Sequence, residues 1–125
     1  MKNLFLFLSF FLSSFCLAQN ASVKELTFQK KVIDYGRVSN DTTLVAKFIM
    51  KNIAPQIVTI NYVNPECTCT SYHVSKYEIQ PNDTASVVLT INTKGKFGKE
   101  KIYAIVNYGD KKMSKLTVKC DVYEK

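Results

Sequence analysis

Strict two-residue alternation is the feature that most constrains what this chain can fold into. From Thr84 to Thr93, Ala85, Val87, Leu89 and Ile91 fall on one side and Thr84, Ser86, Val88 and Thr90 on the other. From Thr43 to Lys51, Leu44, Ala46, Phe48 and Met50 share one side, and Lys47 and Lys51 the other. Successive side chains of a strand point to opposite faces, so each run reads as a strand with one face buried. No segment repeats its apolar residues at the 3.6-residue spacing of an amphipathic helix. Lys24 to Phe28, Val32 to a stop at Gly36, and Ile57 to a stop at Asn64-Pro65 read as further strands. Tyr72 to Tyr77 reads as a short edge segment, and Lys101 to Tyr108 with Met113 to Tyr123 as a hairpin around Gly109-Asp110. About seven strands, with turn signals every 8–12 residues, are the pattern of an antiparallel β-sandwich.

The first residues follow other rules. Five of the eight Phe lie within the first 15 positions. Met1-Lys2-Asn3 is followed by an apolar run from Leu4 to Phe15, and Cys16-Leu17-Ala18 places small residues before Gln19. A charged start, a short apolar stretch and a small-residue cut make a signal peptide cleaved after Ala18. The run is shorter than the roughly 20 residues a spanning helix needs. The expected products are residues 1–18 as leader and residues 19–125 as one domain without a transmembrane segment, exported to the periplasm or beyond. The alternative is a lipoprotein anchored at Cys16, where Phe15 stands in place of the small residue a lipobox wants.

A formal charge of +7 raises nucleic acid as a partner. The lysines are scattered along the chain and only Lys30-Lys31 and Lys111-Lys112 are adjacent, which fits solvated strand faces and loops. With an export signal in front, nucleic acid is excluded.

Cys67, Cys69 and Cys120 remain after cleavage, an odd number that leaves at least one thiol unpaired within the chain. Three readings of Cys67 and Cys69 stay open. One sulfur sits in a loop while the other packs or pairs. Or the two form a redox pair. Residues i and i+2 of a strand lie about 6.6 Å apart, so a bond between them requires a turn. Or the two thiolates with His73, four residues on, hold Zn²⁺ or Cu(I), with Met113 completing the shell if the fold brings it near. Cys120 shares the alternation face of Leu116, Val118 and Val122 and reads as a buried thiol. His73 reads as an exposed side chain at a strand edge. Catalytic groupings are missing: Asp34 and Glu66 stand alone, there is no Gly-rich phosphate loop, and a Cys67–His73 pair has no third group to orient it. The chain is therefore expected to be no enzyme and to need no cofactor.

Several motifs in order resemble a known family. They are Asp34-Tyr35-Gly36, Phe48 with Asn52, Cys67-Thr68-Cys69-Thr70, Ile79-Gln80-Pro81-Asn82-Asp83, and then Gly98, Lys101 and Asn107. Over about residues 26–123 the chain resembles the bacterial domain-of-unknown-function family 1573. That resemblance implies an exported immunoglobulin-like β-sandwich, similar to pilus-chaperone and major-sperm-protein domains. Two positions depart from the family: Thr68 and Asn82 stand where it has glycines. The implied role is protein interaction or envelope structure, with an unknown envelope protein as partner. The expected binding surface is the loop Asn64 to Thr70, including Cys67, Thr68, Cys69 and Thr70, and the edge carrying Tyr72 and His73, with Tyr62 nearby.

Overall fold

The computed structural model describes residues 25–125. The expected signal peptide, its expected cut after Ala18 and the Cys16 alternative fall on residues outside those described. Among these residues no helix is long and apolar enough to cross a membrane.

The alternating runs are strands. In chain order they are β1 (Leu26–Phe28), β2 (Val32–Ser39), β3 (Thr43–Asn52), β4 (Val58–Pro65), β5 (Thr70–Val74), β6 (Glu78–Ile79), β7 (Thr84–Asn92), β8 (Gly98–Tyr108) and β9 (Lys112–Tyr123). They form two sheets, β1-β3-β7-β5 and β2-β9-β8-β4-β6. Neighbours are antiparallel, except that β2 runs parallel to β9. The chain changes sheets between β1 and β2, where the Lys31 carbonyl accepts the Thr117 N–H at 2.8 Å. The two sheets enclose one core, the immunoglobulin-like sandwich that the sequence leads one to expect.

Period two decides which side chains meet. Ala46, Phe48 and Met50 of β3 stand opposite Leu89, Val87 and Ala85 of β7. They face Ala104, Val106, Leu116 and Val118 of the other sheet across the core, and all are buried. Phe48 is 1% exposed, a burial of roughly 1.5–3 kcal/mol for such a side chain. Cys120 is buried on the face predicted for it.

Three sequence expectations need correction. The Val32 strand does not end at Gly36. It continues to Ser39, and Gly36 (φ 65°) sits in a shift of register between Asp34 and Arg37. A glycine at positive φ makes a bulge here, not a stop. The edge segment expected from Tyr72 to Tyr77 is an edge strand, but it runs from Thr70 to Val74, and the next strand, β6, begins only at Glu78 and pairs with β4 in the other sheet. The described strands number nine, and the one that the sequence reading does not anticipate is β6, whose two residues are too short to show alternation.

Candidate functional site: the cysteine turn and the β5 edge

β4 runs out at Pro65, and the chain must cross to the other sheet to enter β5. It does so in a tight turn in which the Thr70 N–H donates to the Cys67 carbonyl at 3.1 Å. The turn brings the Cα atoms of Cys67 and Cys69 to 5.1 Å, and the two sulfurs are joined as a disulfide. Among the described non-glycine residues only Asn82 and Lys111 have positive φ, so Thr68 adopts the turn without glycine's freedom. Asn82, with φ 65°, follows Pro81 in a turn closed by the Asp83 N–H to the Gln80 carbonyl at 3.0 Å. Asn is the residue that best replaces Gly there.

The two sulfurs have different surroundings. Cys67 Sγ accepts the Cys69 N–H at 3.1 Å and lies 3.6 Å from Lys96 Nζ. Cys69 Sγ has the Thr70 hydroxyl at 3.4 Å. Both cysteines are partly buried against the edge of the core. Cys67 also lines a shallow surface depression with Pro65, Glu66, Thr68, Thr70 and Tyr72. Lys96 comes from the β7–β8 loop, in a turn closed by its N–H to the Thr93 carbonyl at 3.0 Å and carrying Gly95 at φ 81°. Sequence reading takes Thr93 to Gly98 as a plain loop. No local pattern connects position 96 to position 67.

A disulfide between residues two apart closes a very small loop. By the chain-entropy relation it restrains the unfolded chain by only about 1.6 kcal/mol, against about 3 kcal/mol for a 15-residue loop. It ties no strand to another.

The metal alternative is not assembled. The thiolates it needs are bonded to each other, and His73 faces outward from β5, exposed, in line with Val88 and Lys47. Met113, 69% exposed, sits on the outer face of the other sheet in a separate depression with Tyr62 and Asn107. Among the described residues no three His, Cys, Asp or Glu side chains gather to hold a metal ion. Tyr62 is thus divided from the other predicted surface residues. It belongs to β4 and another depression, whereas Cys67, Thr68, Thr70 and Tyr72 line one depression, and Cys69 is joined to it through its bond to Cys67.

β5 is the outer strand of its sheet. The Cys69 carbonyl accepts the Asn92 N–H, and the Ser75 N–H donates to the Ser86 carbonyl, both at 3.0 Å. Hydrogen-bonded pairs alternate along an antiparallel ladder, so Ser71 and His73 also bond to β7. The N–H and C=O of Tyr72 therefore point away from the sheet. The Tyr72 side chain is on the core-facing side but at the rim, and is 41% exposed.

The third thiol is inert by position. Burial, and secondarily the charge of Glu100, pushes the Cys120 thiol above its ordinary range.

No curated protein matches the chain. Among solved structures it is similar to a protein of unknown function from Porphyromonas gingivalis W83, with 13% identity and a TM-score of 0.66 over 77% of this chain and 46% of that one. The VesB protease of Vibrio cholerae is similar at 12% identity and a TM-score of 0.68, over 80% of this chain and 32% of that one. The ASH/PapD-like domain of human CEP192 is similar at 10% identity and a TM-score of 0.62, over 81% of this chain and 87% of that one. The chain thus spans less than half of the first two. These likenesses show a shared sandwich fold and nothing of activity. The model of one family, described as "Protein of unknown function (DUF1573)", matches residues 26–122. The chain, with its Cys67-Thr68-Cys69 turn, belongs to the DUF1573 family.

Proposed function

We propose that this domain is an exported, non-catalytic protein-binding module of the cell envelope, and that it takes an extended segment of its partner as an added strand on β5. The observation that supports this reading is the contrast among the four sheet edges. β1 has three residues and β6 two, too short to template a partner strand, and the stretches of β3 and β4 they leave uncovered are guarded by Lys47 in β3 and by a register shift and Pro65 in β4. β2 has eight, but Asp34, Arg37 and the register shift at Gly36 guard it. Natural sheets blunt their edges with such charges, bulges and short lengths. β5 carries no Asp, Glu, Lys, Arg, Pro or register shift from Thr70 to Val74, and its Tyr72 main-chain groups point outward. An edge left unguarded in this way suits strand addition, in which main-chain bonds give affinity and neighbouring side chains give selectivity. Tyr72 at the rim supplies the kind of half-exposed aromatic that anchors such contacts.

The test exploits the parity of β5. Tyr72→Pro removes an outward N–H and leaves the ladder to β7 intact. Immobilised wild-type domain, Tyr72→Pro and Tyr72→Ala are each presented with solubilised envelope proteins of the native host. Proteins retained by wild type and by Tyr72→Ala, which loses the ring but keeps the N–H, and lost from Tyr72→Pro, at the melting temperature of Tyr72→Ala, are the expected result. Equal retention by wild type and Tyr72→Pro overturns the edge reading.

A further inference from the structure

We propose that the Cys67–Cys69 disulfide is a stoichiometric thiol–disulfide exchange site for cysteine thiols of other proteins, with Cys67 as the attacked sulfur and Lys96 as the group that holds its charge. This goes beyond strand binding at β5 and does not depend on it.

Three observations carry the proposal. A bond between residues two apart fastens no separate elements, so a stapling role does not account for it. Cys67 lines a surface depression beside Tyr72, where an incoming thiolate has access, whereas Cys69 does not. The environment is also polarised. Cys67 Sγ has an ammonium at 3.6 Å and an N–H at 3.1 Å, and Cys69 Sγ has only the Thr70 hydroxyl at 3.4 Å. Cations and main-chain N–H groups stabilise a thiolate, and reactive cysteines are recognised by such partly exposed, electropositive surroundings. Glu66 lines the depression as well, but the charged atom that approaches the sulfur is Lys96 Nζ.

The step balances as follows. A thiolate of the partner attacks Cys67 Sγ and forms a mixed disulfide. The Cys67–Cys69 bond breaks, and Cys69 leaves as a thiolate facing the Thr70 hydroxyl and takes up a proton from water. A second thiolate of the same partner attacks its own sulfur in the mixed disulfide. Cys67 then leaves as a thiolate held by Lys96 and the Cys69 N–H. The partner's dithiol loses two electrons and becomes a disulfide, and Cys67 and Cys69 gain them.

The test uses the reduced domain of residues 19–125 and two probes, iodoacetamide and glutathione disulfide, with peptide mass spectrometry. Cys67 should be alkylated about tenfold faster than Cys69 at neutral pH. Lys96→Gln should slow Cys67 several-fold and leave Cys120 unmodified, which shows that the fold is intact. Cys69→Ser should accumulate a glutathione adduct on Cys67 faster than Cys67→Ser accumulates one on Cys69. Equal alkylation rates, no effect of Lys96→Gln, or faster trapping on Cys69 would each overturn the assignment.

Discussion

The side-chain amide of Asn52, at the end of β3, donates a hydrogen bond of 2.8 Å to the main-chain carbonyl of Ile79 in β6. It thereby links the two sheets at a point 27 residues apart in the chain. The same amide donates to the Gln56 carbonyl, and its oxygen accepts the Ala54 N–H, each at 2.8 Å. Asn52 is 0% exposed, so water cannot replace these bonds. Asn52→Ala leaves two carbonyls and one N–H without their partners, at 1–3 kcal/mol for each buried group so stranded, less what local opening to water recovers. The expected loss is about 3 kcal/mol, read as a lower urea midpoint with an unchanged slope.

Gly36 holds a positive φ at the β2 bulge, and its N–H donates to Asp34 Oδ1 at 2.8 Å. A Cβ at this position meets no atom within 4 Å, so the cost of substitution is conformational alone. Gly36→Ala should destabilise by about 1 kcal/mol, the penalty of a left-handed non-glycine residue. A loss above about 3 kcal/mol in chemical denaturation would show that the bulge carries contacts beyond its backbone angle.

Asp83 caps the start of β7. Lys76 Nζ lies 2.6 Å from its Oδ2, and the Thr84 N–H donates to its Oδ1 at 2.8 Å. The Lys76 bond first, and then the Thr84 N–H, hold its carboxyl below the usual range. A lowered folded value means that the stabilisation is complete above the unfolded value, about pH 4, and is lost as pH falls through the folded one. Asp83→Asn should therefore flatten the fall of melting temperature below about pH 4. Asp41, held down by the Ser39 hydroxyl and Lys125, maintains part of the slope in that variant. An unchanged profile would remove Asp83 from the acid response.

Cys120 is 4% exposed, and its thiol is raised by burial. A raised folded value means that its contribution is complete below about pH 8.5 and shrinks as pH climbs beyond that. Native protein at pH 8 should resist alkylation at Cys120 until it unfolds globally. The modification rate should then follow added urea. Rapid labelling without urea would show local opening at the β9 end.

The strands and the face each presents were legible wherever a run exceeded about five residues, because alternation needs several periods to register. Phe48, Leu89 and Cys120 could be placed in the core on that basis. The two-residue β6 could not, since two residues carry no period. Asn52 stood out only as part of a motif. Its buried bonds to Gln56 and Ile79 depend on segments meeting at the sheet end.

Composition and periodicity by themselves determined an all-β chain, most of its turns and its buried faces, because these follow from side-chain direction along single strands. The tertiary structure decided everything that depends on neighbours distant in sequence. It put β4 and β5 in different sheets, and so separated Tyr62 from Tyr72. It turned Gly36 from a stop into a bulge, since only pairing with β9 reveals a register shift. It also carried Lys96 to within 3.6 Å of Cys67. Position 96 reaches position 67 through the closure of two loops, and no period or local spacing in a sequence encodes such a contact.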